Sequence, residues 1–437
     1  MKVLKFGGSS IATPQRMKKV LSLVSSEEAT PKVVVLSAIA GVTDKLVALY
    51  QAYAEGQEES YAERREKLRD FHLSYAQELL QTVEHFQIAA DEIEEQFKKL
   101  AHRKKAVQLS LTEGQVLATG EYLSTFLFHL YLQEVGHLSH WLYAPDYLWL
   151  EPDEKVDLEK LSLKLLPVIS NSGASIFIIQ GFICRRADQR IGNLKRGGSD
   201  YTASLLGAAL QVQEIQIWTD IDGLHNNDPR YVAHTRAIAV LSYDEAAELA
   251  YFGAKILHPQ TIHPARLRKV PVRLLDTLHP TAKGTLITQE APVREVVAIA
   301  AKEGITAITV HSSRMLMAYG FLKKLFEVFE GFKTPIDMIT TSEVAVSLTI
   351  DQDAQLPALY KALQEFGTVH IDKDQAIICV VGNFSSETHG KAAVVMDALK
   401  HLPIRMISYG GSTHNLSVLL PQKHKVEALR ALHSRLF

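Results

Sequence analysis

The chain has 437 residues, of which 47% are hydrophobic and 22% charged, so it is long enough for two or three globular domains with buried cores. Its 47 basic and 49 acidic side chains give a net charge of −2, which disfavours nucleic acid or an anionic membrane as a partner. The two cysteines, Cys184 and Cys379, are far apart and outside any CxxC or Cys/His cluster. We therefore expect neither a disulfide scaffold nor a structural zinc site. Because the N-terminus does not resemble a secretory signal and no run approaches the roughly 18 apolar residues of a membrane span, we expect a cytoplasmic protein.

Residues 1–290 alternate short apolar runs with helical patterns, which predicts an α/β domain with a mainly parallel sheet covered by helices. None of the runs alternates strictly, as expected for strands covered on both faces. The predicted strands are Val3–Phe6, Lys32–Ser37, Ser175–Gln180, Glu214–Thr219 and Val272–Leu275. A helix starting near Pro14 follows the first strand, because apolar residues recur there at helical spacing.

Residues 57–107 are rich in charge and nearly free of glycine, which predicts an inserted helical hairpin with a solvated face. Thr112 and Gln115 then form the pattern of a capping box, which predicts the start of another helix.

The composition changes after Gly284, and the polar segment 289–294 around Pro292 is typical of a linker. From residue 298 onward, strand and helix patterns follow the order expected of two split-βαβ sandwiches, predicted at 298–370 and 371–437. The predicted strands are Ile305–His311, Val344–Ile350, Gln375–Val381, Ile404–Ser408 and Leu416–Leu420.

Two glycine-containing turns follow the first two predicted strands. Lys5 precedes the pair Gly7 and Gly8, whose backbone allows close approach to an anion, while the lysine supplies a charge for a phosphate. Ser37 and Thr43 flank a similar turn at the next strand. A plain structural connection explains either turn equally well.

The segment 194–202 is more specific. Arg196, Gly197, Gly198, Ser199 and Asp200 precede a helix of small residues, so a bidentate cation, a helix N-terminus and an acid converge. The alternative is an N-capped helix with an Arg–Asp pair on the surface.

Further polar residues follow the strand that ends at Thr219, where open α/β sheets bind ligands. Asp220 comes directly after it, Arg230 follows in a turn-rich loop, and Lys255 lies at a helix–loop boundary. Glu121 lies in an otherwise apolar helix and is either a functional acid or a surface carboxylate.

Several nucleotide-binding and hydrolase motifs are absent from the sequence. It contains no GxxxxGK[ST] loop, no HRD or DFG set, no GxGxxG turn, no GxSxG elbow and no HExxH spacing. P-loop, protein-kinase, Rossmann, hydrolase and zinc-protease interpretations therefore lose their main support.

One family combines all of these segments. The ordered set KFGGSS, LSAIAGVTD, TGEYLST, QGFI, LKRGGSDYTA, WTDIDG, NDPR, FGAKILHP and ITTSEV resembles monofunctional aspartate kinase (aspartokinase) over essentially the whole chain. The helical segment before Thr112 and the ending His433–Phe437 are most similar to the lysine-sensitive class.

The resemblance implies an amino-acid-kinase fold followed by two ferredoxin-like ACT domains, and phosphorylation of L-aspartate by ATP with Mg²⁺. Lys5 and Asp200 would be catalytic. The aspartate-binding residues would be Ser37, Thr43, Glu121, Arg196, Gly198 and Ser199. The nucleotide-binding residues would be Gly7, Gly8, Ser9, Thr219, Asp220, His225, Arg230 and Lys255.

A regulatory site is also implied in the first ACT domain. The matching positions are Met315, Gly320, Phe321, Leu322, Asp337, Thr341, Ser342 and Glu343. Met317 and Ala318 replace a His and a Ser of lysine-sensitive relatives, so lysine is the expected effector, with threonine or no effector as alternatives. The resemblance further implies a homodimer, or a dimer of dimers, through the ACT domains.

Two departures concern the nucleotide: Ser9 stands where the family usually has Thr, and His225 stands where it often has Tyr. Two other functions remain open at this point. A sibling kinase acting on acetylglutamate, glutamate or a nucleotide would explain the glycine turns but not the carboxy-terminal sandwiches. An inactive amino-acid sensor would not need Lys5, Glu121, Arg196 and Asp200.

Overall fold

The computed structural model describes residues 1–25, 31–101, 111–194, 197–253, 259–315, 319–385 and 389–437. They form two compact units. The first consists of Met1–Leu224, Ala239–Tyr243 and Leu257–Ala291, and the second of His225–Ile238, Asp244–Ile256 and Pro292–Phe437.

The first unit contains a mostly parallel sheet, as the sequence predicts. Its strands are β1 (Lys2–Phe6), β2 (Lys32–Leu36), β3 (Ser139–Leu142), β4 (Ile176–Gln180), β7 (Glu214–Thr219), β8 (Val240–Ser242), β9 (Val272–Asp276) and β10 (Thr285–Thr288), with β5 (Ile183–Arg185) and β6 (Ile191–Asn193) forming a separate hairpin. The order across the sheet is β3-β4-β2-β1-β7-β9-β10-β8. Strand β10 runs antiparallel to β9, and the other paired neighbours are parallel. The central strands β1, β2 and β4 are almost wholly buried, which explains their continuous apolar sequences.

Helices cover this sheet. They are α1 (Pro14–Ser25), α2 (Val42–Ala54), α3 (Glu58–Leu79), α4 (Val83–Ala101), α5 (Glu113–Glu134), α6 (Ala144–Tyr147), α7 (Leu158–Asn171), α8 (Gly198–Ala209) and α10 (Pro259–Arg268). The predicted capping box is present at the start of α5, where the Thr112 side chain accepts from the Gln115 N–H and the Gln115 side chain accepts from the Thr112 N–H. The predicted helical hairpin is α3 and α4, and residues 102–107 of that prediction lie outside the described residues. Its inner face joins the main core through Tyr61, Leu68, Tyr75 and Ile93.

The second unit contains one six-stranded antiparallel sheet. Its strands are β11 (Val296–His311), β12 (Ile339–Thr341), β13 (Ala345–Ile350), β14 (Thr368–Gly382), β15 (Met406–Tyr409) and β16 (Asn415–Pro421), in the order β12-β13-β11-β14-β16-β15. Its helices are α11 (Phe321–Gly331), α12 (Leu356–Leu363), α13 (Lys391–Ala398) and α14 (Lys425–Leu436); α9 (Tyr243–Tyr251) also belongs here from Asp244 onward. The short strand β12 was not predicted, because its three residues are exposed and show no apolar periodicity.

The two predicted sandwiches, 298–370 and 371–437, differ from the packing at their boundaries. Strand β11 has a register shift after Lys302, and its two halves join different hydrophobic cores. Ile299 packs with Ile378 and Leu432, whereas Ile308 packs with Leu359. The second core therefore takes a strand from residues that the prediction assigned to the first sandwich, because strand pairing with β14 joins segments far apart in sequence.

The catalytic domain predicted at 1–290 stays a prediction, and the first unit ends at Ala291. Two earlier segments, 225–238 and 244–256, pack within the second unit. Asn227 donates to the Leu429 carbonyl at 3.1 Å, and Glu248 accepts from Ser412 at 2.8 Å and from Asn415 at 2.5 Å. These side-chain contacts between distant segments leave no local pattern in the sequence. In the described parts of the chain, no helix has the length and apolarity that crossing a membrane requires.

Candidate active site

Lys5 and Asp200 form an ion pair in the first unit. Lys5 lies near the carboxyl end of β1, between Val35 of β2 and Ile217 of β7, and is 9% exposed. Its Nζ lies 2.7 Å from Oδ1 of Asp200, in the first turn of α8. Since strand, turn and helix fix both ends of the pair, the ammonium group is held at the edge of the sheet.

The start of α8 is packed against the turn that follows β4. A Cβ atom on Gly198 would lie 2.3 Å from the Phe182 ring, and one on Gly181 would lie 2.4 Å from the Ser199 hydroxyl. Gly197 precedes the helix with φ of +73°, a conformation that glycine adopts without strain. The first N–H groups of a helix favour an anion, so this end of α8 suits a carboxylate or phosphate.

Glu121 is a buried acid on α5. A Cβ atom on Gly120 would lie 2.8 Å from the Ala38 Cβ, so this glycine allows the helix to approach the loop after β2. Glu121 Oε1 accepts from the Ala38 N–H at 3.2 Å, while Oε2 is buried with no hydrogen-bond partner among the described residues. Burial raises the pKa of Glu121 to about 8. An acid in this state is stabilised by a cationic ligand.

These groups line one cavity of about 250 Å³. Of the residues predicted from the sequence, it brings together Lys5, Ser37, Thr43, Glu121, Gly198, Ser199 and Asp200. Gly197 and Phe182 also line it, and neither was singled out as a site residue. Phe182 has φ of +69°, unusual for a bulky side chain, and its N–H donates to Thr202 at 3.0 Å. The QGFI segment was its one signal in the sequence.

A separate narrow cleft contains Ser9, Thr219 and Asp220. Thr277 connects its walls, because its hydroxyl donates to the Thr219 carbonyl at 2.8 Å and lies 2.8 Å from the Ser10 hydroxyl. Two basic residues of α1 that the sequence analysis missed, Arg16 and Lys19, also line it. Their i, i+3 spacing on a predicted helix was the available signal.

The predicted glycines beside Lys5 have different surroundings. The Gly7 N–H donates to the Trp218 carbonyl at 3.4 Å, and a Cβ on Gly7 would lie 3.5 Å from the Lys5 Nζ. A Cβ on Gly8 would lie 2.7 Å from the Ala38 carbonyl oxygen. Close backbone packing alone therefore requires glycine at position 8.

Of the predicted active-site residues that the structure describes, Gly7, Gly8, His225 and Arg230 line neither cavity. His225 and Arg230 belong to the second unit, where His225 Nδ1 lies 2.9 Å from the Thr235 hydroxyl and Arg230 forms a two-pronged ion pair with Asp228. Arg196 and Lys255 lie outside the described residues.

The predicted regulatory positions have contrasting environments. Gly320 caps the start of α11 with φ of +80°, and the half-buried Met315 and Phe321 pack on the first core of the second unit. Exposed positions are Leu322, Thr341, Ser342 and Glu343. Asp337, in contrast, has a side chain that is only 2% exposed and is already paired within the chain. Met317 and Ala318 lie outside the described residues.

The described residues contain no group of three or more His, Cys, Asp or Glu side chains that would hold a metal ion. The cavity around Lys5 can nevertheless bind a molecule with both anionic and cationic groups, because it combines an ammonium group, a helix N-terminus and a buried acid.

Comparisons with known proteins agree with this architecture. Residues 1–276 match the amino acid kinase family and residues 378–436 match an ACT domain. The chain is 35% identical to lysine-sensitive aspartokinase 3 of Escherichia coli, over 100% of this chain and 99% of that protein. It is 32% identical to the chloroplastic aspartokinase 2 of Arabidopsis thaliana, over 100% of this chain and 84% of that protein. The crystal structure of E. coli aspartokinase III in complex with aspartate and ADP superposes with a TM-score of 0.84, at 32% identity and full coverage of both chains.

Proposed function

The chain belongs to the aspartokinases of the amino acid kinase family, and we propose that it transfers the γ-phosphoryl group of MgATP to the side-chain carboxylate of L-aspartate. The products are ADP and 4-phospho-L-aspartate, and the reaction begins the synthesis of lysine, threonine and methionine. The observation that carries the proposal is the single cavity where Lys5, Glu121 and the start of α8 meet.

Aspartate binding follows from the charges of this cavity. Glu121 is suited to the substrate ammonium group, since its buried Oε2 has no hydrogen-bond partner among the described residues. The start of α8, with Gly198 and Ser199, is suited to a carboxylate. Arg196 lies two residues before this helix in the sequence and would hold the substrate α-carboxylate, while Ser37 and Thr43 supply hydroxyls.

Phosphoryl transfer here needs no strong general base. A free carboxylate has a pKa of about 4, so the attacking oxygen is already ionised at neutral pH. The obstacle is repulsion between this anion and the triphosphate. Lys5 offsets that repulsion and stabilises the charge on the transferring group, and Asp200 holds its ammonium in place at 2.7 Å.

The nucleotide is proposed to lie beside this cavity. Ser9, Thr219 and Asp220 line the neighbouring cleft, and Arg16 and Lys19 add positive charge to it. Gly7 and Gly8 connect it to Lys5. His225, Arg230 and Lys255 stay predictions as nucleotide contacts. Mg²⁺ enters as part of the MgATP substrate, with phosphate oxygens and water as its natural ligands.

The second unit is proposed to regulate the enzyme. Its ACT match and the lysine-sensitive relative support an amino-acid effector, with L-lysine as the first to test. We further propose that the chain forms a dimer or a dimer of dimers through this unit, in the cytoplasm, where the buried free thiols of Cys184 and Cys379 stay reduced.

The proposed reaction is tested by trapping the acyl phosphate with hydroxylamine while ADP release is measured. We expect hydroxamate with L-aspartate and MgATP, and none with L-glutamate or N-acetyl-L-glutamate. Lys5→Met should abolish the signal, whereas Lys67→Met, which removes an exposed lysine paired with Glu63, should leave it unchanged. If hydroxamate formed with one of the other acids and not with L-aspartate, the protein would be a sibling kinase with a different substrate. If no acid gave hydroxamate, the protein would be an inactive amino-acid sensor.

A further inference from the structure

A short chain of hydrogen bonds connects the walls of the cleft that contains Ser9 and Asp220. The Thr277 hydroxyl donates to the Thr219 carbonyl at 2.8 Å and lies 2.8 Å from the Ser10 hydroxyl. Because the Thr277 hydroxyl has one hydrogen and uses it on the carbonyl, Ser10 is the donor between the two side chains. The chain therefore runs in one direction, from Ser10 through Thr277 to Thr219.

Both hydroxyl groups of this chain are buried. Ser10 is 3% exposed and Thr277 is 8% exposed, although the two residues are 267 positions apart in the sequence. A buried hydroxyl that loses its partner has little access to water as a replacement. The hydrogen bond between Ser10 and Thr277 is therefore a fixed contact between two distant segments.

The Ser10 end of the chain belongs to the glycine turn after β1. Ser10 lies in a 3-10 turn, Gly8–Ile11, and its N–H donates to the Gly7 carbonyl at 3.0 Å. The neighbouring Ser9 carbonyl accepts from Nη1 of Arg16, on α1, at 2.7 Å. Its own backbone, helix α1 and the Ser10 hydroxyl thus all hold the turn in place.

The other end of the chain is anchored by the loop that follows β9. The Thr219 carbonyl also accepts from the Thr277 N–H at 2.8 Å. Asp276 pairs with Thr219 in the sheet, and its carboxylate accepts from the Leu278 N–H at 2.7 Å and lies 2.7 Å from His279 Nδ1. Because these contacts fix the backbone on both sides of Thr277, its hydroxyl is held rigidly toward Ser10.

We propose that Ser10 and Thr277 are positioning residues for the nucleotide, because their hydrogen bond sets the distance between the glycine turn and the end of β7. The glycine turn binds the phosphates in this scheme, and Thr219 and Asp220 bind the remainder of the nucleotide. With the two walls fixed beforehand, nucleotide binding does not have to order them. The inference rests on the proposed function, which assigns the nucleotide to this cleft.

The proposal is tested with two variants of Thr277. Thr277→Val replaces the hydroxyl with a methyl group of similar size, whereas Thr277→Ser keeps the hydroxyl. In the hydroxamate assay, Thr277→Val should raise the KM for MgATP at least about fivefold and leave the KM for aspartate within about twofold. Thr277→Ser should leave both within about twofold. An unchanged KM for MgATP in Thr277→Val overturns the proposal, as does an equal rise in Thr277→Ser.

A buried threonine of the second unit separates positioning from general stability. Thr349 is 0% exposed, and its hydroxyl accepts from the Met338 N–H at 2.9 Å. Thr349→Val should lower the melting temperature, as Thr277→Val does, but leave the KM for MgATP within about twofold of wild type. A similar rise in both variants would assign the effect to lost stability and overturn the proposal.

Ser10→Ala provides a second test if Thr277→Val does not fold. It removes the donor to Thr277 and keeps the bond from Thr277 to Thr219. Isothermal titration calorimetry with MgADP measures binding without turnover, and the dissociation constant of Ser10→Ala should be at least about fivefold above that of wild type. Equal constants overturn the proposal, as does a wild-type protein that does not bind MgADP. A wild-type protein that binds MgADP but forms no hydroxamate contradicts the proposed reaction alone, and the calorimetry still decides the role of Ser10.

Discussion

Glu121 accepts a 3.2 Å hydrogen bond from the backbone N–H of Ala38 through one carboxylate oxygen, while its other oxygen is buried with no hydrogen-bond partner in the described parts of the chain. One N–H is too little to offset the burial of a charge, so the pKa of Glu121 rises to about 8. A substrate ammonium group placed at the second oxygen supplies the missing charge.

Aspartate binding should therefore depend on pH. Ammonium binding requires ionised Glu121, so we expect the KM for aspartate to rise about tenfold per pH unit as pH falls below 8, until substrate binding no longer depends on this group. Glu121→Gln should raise the KM at least about 100-fold and flatten its pH profile. Steady-state hydroxamate assays between pH 6 and 9, at fixed MgATP, measure both effects. If the KM of Glu121→Gln depended on pH as steeply as that of the wild type, the pH dependence would belong to another group.

The same pKa makes a prediction for stability. A carboxyl group with a raised pKa in the folded state stabilises the protein fully below its unfolded value of 4.5, and this contribution is lost as pH rises through about 8. Without ligands, the melting temperature of Glu121→Gln should therefore exceed that of the wild type at pH 9, with a smaller difference at pH 5. If the melting temperatures of Glu121→Gln and wild type differed by the same amount at pH 5 and pH 9, the raised pKa of Glu121 would be contradicted.

Asp200 is expected to act through Lys5. Asp200→Ala leaves the Lys5 ammonium without its partner at 2.7 Å, so kcat should fall at least about 100-fold while the KM for aspartate changes less. Asp397→Ala is the control, because it removes the partner of the exposed Lys400. Turnover of Asp200→Ala within a few-fold of wild type would refute this role.

Gly198 should tolerate no side chain. A Cβ there would lie 2.3 Å from the Phe182 ring, so Gly198→Ala must displace Phe182 or the start of α8. We expect a loss of about 1–3 kcal/mol in the free energy of unfolding and a raised KM for aspartate. Gly331→Ala is the matched control, since a Cβ at Gly331 has no atom within 4 Å; similar losses in both variants would argue against specific packing.

His72 should make the helical hairpin sensitive to acid. Its ring is buried on α3 with Nδ1 2.7 Å from the Leu68 carbonyl, and burial lowers its pKa to about 4. The neutral ring stabilises the fold fully above the unfolded value of about 6.5, and this contribution is lost as pH falls toward 4. Circular-dichroism melting at pH 7 and pH 5 should show a smaller loss on acidification in His72→Gln than in wild type. The exposed control His389→Gln should behave as wild type, and an equal loss in His72→Gln would refute the role of this histidine.

Motif order along the sequence singled out several residues that line the cavity around Lys5. Lys5 lies near the end of a strand, Ser37 follows a strand and Asp200 lies in the first turn of a helix, and parallel strands bring their carboxyl ends to one edge. Phe182 was missed because its place in the cavity depends on a left-handed backbone and on contact with Gly198, which no local pattern specifies. Arg196 and Lys255 stay predictions.

The amino-acid sequence by itself determined the mainly parallel sheet, the family, and the residues at the ends of β1 and β2, because each depends on hydrophobic pattern or motif order along short stretches of chain. Only the tertiary structure decided that Glu121 is buried beside Ala38, that residues of β11 pack in two hydrophobic cores and that Lys302 forms an ion pair with Asp337. These features depend on contacts between distant segments, and burial and electrostatic competition act between groups that meet only when the chain has folded.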